Sequence, residues 1–220
     1  MMFSSLIKLT RFNQLITKVT TAVPSIPCIQ SMIEKAWEAG FDPRGRVQLD
    51  GKLVGTRKWI GATEVFTLFA SLGFHCRIMD CTKYSDVQRR CHPALDNWVH
   101  QYFNTASHHQ QQTQSPFPIL YLQHEGHSRS IAGLKYDRRT NTPTHYVILD
   151  PAKTRGQVEG FFPTSKNQSG SSSRSAVNFF VKPCTSFNHQ QYQVVAVVGV
   201  ADEARFNRQK DIDTLGEKIS

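Results

Sequence analysis

The apolar positions of this chain change period part-way along it. They recur at helical spacing through the N-terminal half, and in short strand-like runs from about residue 119 to residue 200. The apolar residues of 1–23 are interrupted by Lys8, Arg11 and Lys18, which predicts an amphipathic helix over about 1–20, with no capping residue at its start. Ile26, Ile29, Ile33, Ala36 and Trp37 predict a second helix over about 25–39, ended by Gly40. Residues 41–58, with Gly45, Gly51 and Gly55, read as an irregular loop. A third helix is predicted from Ala62 to Leu72, stopping at Gly73, and a short strand from Phe74 to Met79. Pro93 opens a fourth helix that reaches about Phe103. Strands are predicted at 119–123, 129–136, 144–150 and 192–200.

Two stretches predict flexible insertions: about 106–116, which holds a Gln/His run, and 165–175, rich in Ser, Gly and Asn. The expected organisation is one domain over 1–200 and a charged C-terminal tail over 201–220, helical at best. Helices first and antiparallel strands afterwards is an α+β order.

Composition narrows the function classes. With 220 residues, 39% of them hydrophobic, the chain can build one proper core. Lys and Arg number 26 against 17 acidic residues, a net charge of +9. The basic residues are scattered, with no long block and no Arg/Gly-aromatic motif, so a basic surface is expected rather than a nucleic-acid site. Five cysteines form no framework spacing, and no uninterrupted apolar leader precedes them; a reducing compartment, cytoplasm or nucleus, is expected rather than secretion. Residues 1–23 are too polar to span a bilayer.

The candidate chemistry lies in YLQHEGHSRS (121–130) and YVILDP (146–151). These read as a hairpin around the turn residues 137–143. Residues equally far from a turn centre lie opposite each other. A centre between Arg138 and Arg139 therefore places His127, at the hairpin's open end, beside Asp150. An imidazole oriented by a carboxylate is two-thirds of a nucleophilic triad. The plainer alternative is a strand-edge histidine and an Asp-Pro turn. Gly126 before His127 permits close approach of another chain, which favours a cleft.

Cys28 is the candidate nucleophile that the residues themselves offer. It sits near a helix start, where the dipole lowers a thiol pKa, and it precedes His127 and Asp150 in the chain. The alternative is a small buried apolar residue between Ile26 and Ile29. Ser128 and Ser130 lack a nucleophile-elbow context. Glu64, in WIGATEV (59–65), is read as capping a loop–helix junction rather than as catalytic. No metal and no cofactor are expected. His124 and His127 are an odd number of residues apart, which puts them on opposite faces of a regular strand, and Cys76, Cys81, Cys91 and His92 fit no ligand spacing. A helical half followed by a sheet that carries histidine and its orienting residue is the layout of papain-like cysteine peptidases.

The segments SIPCIQSMIE (25–34), GFDP (40–43), WIGATE (59–64), YLQH (121–124), GHSR (126–129) and LDP (149–151), with Trp37, Gly55-Thr56, His92-Pro93 and Trp98, occur in order. Together they resemble the catalytic domain of the zinc-finger-containing, ubiquitin-cleaving branch of the ubiquitin-fold-modifier-specific cysteine proteases. The resemblance extends from Met1 to about Gly199. It implies a papain-like thiol peptidase acting on ubiquitin or polyubiquitin, with preference for chains linked through lysine 63. It also implies His127 as general base and Asp150 as its orienting residue. The sister branch carries its histidine just after Asp-Pro; here Ala152 and Lys153 follow Asp150-Pro151, so the pattern is that of the ubiquitin branch. In the family the nucleophile lies in a Gly-x-x-Cys-Gly-Tyr-Arg-Asn segment opening the first long helix. The resemblance implies that this segment lies upstream of Met1, that the chain is truncated and inactive as it stands, and that Cys28 is at best a substitute. Two alternatives accompany this reading: a non-catalytic ubiquitin-binding module that keeps the cleft, and a basic nucleic-acid-binding module.

Overall fold

The order of elements follows the change of period in the sequence. The computed structural model describes residues 23–82, 92–113, 118–159 and 179–219. The predicted first helix, Cys91 and the 165–175 insertion lie outside these. Helix α1 (Ile26–Glu38) carries Pro27 in its first turn and buries Ile33, Ala36 and Trp37. Residues 41–58, expected as loop, contain a short helix, α2 (Pro43–Gln48). Pro43 begins it, and the Asp42 carboxylate accepts from the Gly45 N–H at 3.0 Å. Helix α3 (Ala62–Ser71) is tied down at its start as Glu64 predicted, its carboxylate accepting from the Gly61 N–H at 2.6 Å. Gln123 Oε1 accepts from the Ala62 N–H at 2.5 Å, fastening this helix end to the sheet.

Strand β1 (Phe74–Thr82) follows, longer than predicted, and then helix α4 (Pro93–Thr113). This helix runs ten residues past the predicted end and takes in most of the stretch expected as a flexible insertion; only 114–116 of that stretch fall outside the described residues. Gln and Ala are good helix formers, and their polar setting had suggested a loop. The remaining strands are β2 (Leu120–His124), β3 (His127–Tyr136), β4 (Pro143–Leu149), β5 (Val181–Pro183), β6 (Gln191–Val200) and β7 (Glu217–Ile219), with short helices α5 (Arg155–Glu159) and α6 (Glu203–Arg208) between them.

The strands form one sheet of order β5-β4-β3-β2-β6-β1-β7, antiparallel throughout except for the β1–β7 pair. Both faces are covered. Val195 and Val197 of β6 face a cluster with Trp37, Phe66 and Phe69 from α1 and α3. Tyr192, Val194 and Ala196 face a second cluster with Leu95, Trp98 and Val99 from α4. This alternation within one apolar run is what a central strand buried on both sides requires.

The C-terminal residues, expected as a charged tail, fold against the sheet. Phe206 packs edge-on to Phe41 with ring centroids 5.1 Å apart, and β7 adds an edge strand beside β1. Among the described residues no helix is long and apolar enough to cross a membrane.

Candidate active site

β2 and β3 are joined by a two-residue turn, Glu125-Gly126, with φ of 45° and 77°. Both residues take the left-handed conformation of a type I′ turn, which glycine adopts freely and which matches the strands' twist. His127 thus begins β3 directly opposite His124, at the closed end of a tight hairpin. The two histidines share a face, with ring centroids 5.6 Å apart, and not opposite faces as their spacing suggested. The expectation assumed one continuous strand, whereas the turn falls between them.

The β3–β4 hairpin departs from the predicted register. The turn closes with Asp137 N–H donating to Thr142 O, and Tyr136 pairs with Pro143. The strands then pass two irregularities, between Lys135 and Tyr136 and between Ile131 and Gly133, and end with Ser130 opposite Leu149. The next pair outward sets Arg129, not His127, opposite Asp150. Turn symmetry misplaced Asp150 by two residues because the turn centre lies nearer Pro143 than assumed. His127 and Asp150 become diagonal neighbours on one face, a separation of about 7–8 Å in a regular pair.

Arg129 joins Asp150 to His124. Its Nε donates to Asp150 Oδ2 at 3.1 Å, and its Nη1 lies 2.6 Å from His124 Nε2. Asp150 Oδ1 accepts from the Ala152 N–H at 2.9 Å. Partial burial works to raise the Asp150 pKa, but the Ala152 N–H and the Arg129 guanidinium outweigh it and hold the carboxyl below its ordinary range. Guanidinium can only donate, so His124 Nε2 is the acceptor and Nδ1 carries the hydrogen. His124 is buried and stacked on His189, with ring centroids 4.3 Å apart. Desolvation, then His189, Arg129 and His127, lower its pKa to about 4. A group so weakly basic, with its lone pair occupied, is a poor general base at neutral pH. His127 is exposed at the turn.

A cavity of 230 Å³ opens beside these groups, lined by His124, Arg129, Asp150, Lys153, His189 and Tyr192, with Phe187 at its apolar side. Neither His189 nor Tyr192 was foreseen; they reach the site from the loop before β6 and from β6 itself, a contact no local pattern signals. Arg129 was foreseeable in part, since it lies two residues from His127 and so on the same face.

Among the described residues, His124, Glu125 and His189 come nearest to a metal-ligand cluster, with ligand atoms within 4.8 Å. The Arg129 guanidinium occupies His124 Nε2 and the hydrogen sits on Nδ1, an arrangement that disfavours a divalent cation there. Cys28 is exposed on α1, which packs on the Tyr121 face of the sheet, whereas His127 and Arg129 alternate with Ile131 onto the α4 face. Cys76, Cys81 and Cys184 are buried. Desolvation raises the Cys76 thiol and pushes Cys81 up to about 12, which keeps both protonated and unreactive.

Comparison with known proteins agrees with the sequence resemblance. Zinc finger-containing ubiquitin peptidase 1 of Bos taurus is 36% identical across 100% of this chain and 36% of its own length, and the Mus musculus protein of that name is 38% identical across 81% and 30%. Ubiquitin carboxyl-terminal hydrolase mug105 of Schizosaccharomyces pombe is 33% identical across 62% of this chain and 50% of its own length. The chain thus spans about a third of the first relatives it matches. The crystal structure of UfSP from C. elegans aligns with a TM-score of 0.44 at 18% identity, covering 82% of this chain and 26% of that one. Residues 1–195 match peptidase family C78, and the chain belongs to that family.

Proposed function

We propose that this chain carries the base and the orienting carboxylate of a thiol peptidase that cleaves ubiquitin or a ubiquitin-like modifier from its conjugates. The observation that supports it most is an ionised Asp150 on the same sheet face as exposed His127, beside an open cavity and steadied by Arg129. In this reading a cysteine thiolate attacks the isopeptide carbonyl and forms a thioester. His127 delivers the proton to the departing amine and then takes one from the water that hydrolyses the thioester. Asp150, on the same face, supplies the negative charge that favours the imidazolium, and the Ala152 N–H and Arg129 keep Asp150 charged. Preference for lysine-63-linked chains and a reducing cytoplasmic or nuclear setting belong to the same reading; they rest on the family resemblance and on the needs of a thiolate.

Cys28 is not the nucleophile of this proposal, because α1 packs on the other face of the sheet. A ubiquitin carrying a thiol-trapping group at its C-terminus should therefore leave this chain unlabelled. Labelling that vanishes in Cys28→Ser would restore Cys28. A longer chain carrying the family's Gly-x-x-Cys-Gly-Tyr-Arg-Asn segment ahead of residue 1 should cleave lysine-63-linked di-ubiquitin. There, His127→Gln should lower kcat by about a hundredfold or more and Asp150→Asn by about tenfold or more. Undiminished turnover in His127→Gln would remove the base assignment.

A further inference from the structure

A second cavity, of 310 Å³, lies at the far edge of the sheet, where β1, β7 and α6 meet. Its walls carry His75, Arg77, Arg205, Arg208 and Glu217. Two strands, β2 and β6, separate β1, which walls this cavity, from Arg129 on β3. The charges do not cancel. Arg77 is committed to Glu217, its Nε and Nη2 lying 3.0 and 2.6 Å from the two carboxylate oxygens. Arg205 and Arg208, three apart on α6 and so on one helix face, make no ion pair with another described residue. The Arg205 guanidinium instead lies 2.6 Å from His75 Nε2, a neutral partner that leaves the charge uncompensated. Asp202, three residues before Arg205, accepts from the Arg205 N–H as the cap of α6 and does not line the cavity. The floor is preformed: Gln209 is buried and bonded to the backbone of Cys76 and Phe74.

We propose that this cavity binds a phosphate monoester. Two adjacent guanidinium forks with free donors match the geometry and charge of a phosphate dianion. The concavity is compact rather than a continuous basic groove. Its lining offers no Phe, Tyr or Trp on which a base could stack, which argues against single-stranded nucleic acid.

The test is a titration of the chain with phosphoserine and, separately, with inorganic phosphate, following the His75 ring and Arg side-chain resonances at constant ionic strength. Saturable shifts at these residues are expected, with the His75 pKa moving upward as the dianion arrives beside it. Arg208→Ala, on an exposed side chain, should weaken binding about tenfold. Arg205→Ala combined with Arg208→Ala should abolish it, while Lys218→Ala outside the cavity should leave it unchanged. Urea midpoints of each variant establish that it is folded. Absence of saturation up to about 50 mM, equal binding by the double variant, or tighter and more salt-sensitive binding of an oligothymidylate than of phosphoserine would each overturn the proposal.

Discussion

Arg129 holds two ionisable groups with one guanidinium, and the consequences are opposite in kind. It keeps Asp150 charged and His124 neutral. His75 is in the same condition as His124, lowered to about 4 by desolvation, then by Arg205 and Arg77. In the unfolded chain both would titrate near the ordinary histidine value of about 6.5. Between that value and about 4 the unfolded state binds more protons than the folded one. Stability is therefore fully present above about pH 6.5 and falls as the pH drops toward 4. Urea midpoints at pH 7.5 and 5.5 should show the loss, and His124→Gln with His75→Gln should flatten it. Glutamine retains an acceptor for each arginine without titrating. An unchanged pH slope in the double variant would show that these histidines are not its source. At this scale the sequence marked His127 and Asp150, and its two-residue alternation brought Arg129 to the same face. That Arg129 meets Asp150 depended on hairpin irregularities that residue types do not announce.

Among the elements, β1 and the C-terminal segment depend on each other. The β1–β6 register slips between His75 and Cys76, and such a bulge leaves backbone groups without ladder partners. Gln209 meets two of them: its Oε1 accepts from Cys76 N–H at 2.8 Å, and its Nε2 donates to Phe74 O at 2.9 Å. Gln209 is 1% exposed, so water cannot replace it. Gln209→Ala should cost about 2–6 kcal/mol, since each of the two buried groups left unpaired costs about 1–3. A urea midpoint that falls with an unchanged m-value would bear this out; a loss below about 0.5 kcal/mol would mean the bulge repairs itself. The charged composition after Ala201 had concealed this role, because Phe206, Ile212 and Leu215 are too few for a periodic signal. The long α4 was hidden similarly, its polar C-terminal half reading as loop.

Across the whole molecule, β6 joins two cores that share no helix. Trp37 reports on the α1/α3 side and Trp98 on the α4 side. Because β6 supplies buried side chains to both, loss of either layer exposes an apolar sheet face. The two layers should therefore unfold together. Fluorescence of Trp37→Phe and Trp98→Phe variants, each keeping the opposite reporter, should give coincident urea transitions once corrected for the stability of each variant. Separated transitions would show two independent units. By itself the sequence determined the α+β order, most strand positions, the family and the two residues on which the proposed chemistry turns. Those depend on local periodicity and short motifs, which residue identity carries directly. The tertiary structure alone decided the hairpin register, the Arg129 bridge, the neutral state of His124 and the meeting of β1 with residues 203–219. Each of these rests on backbone irregularity, desolvation or contact between distant segments, and such effects exist only once the chain has packed.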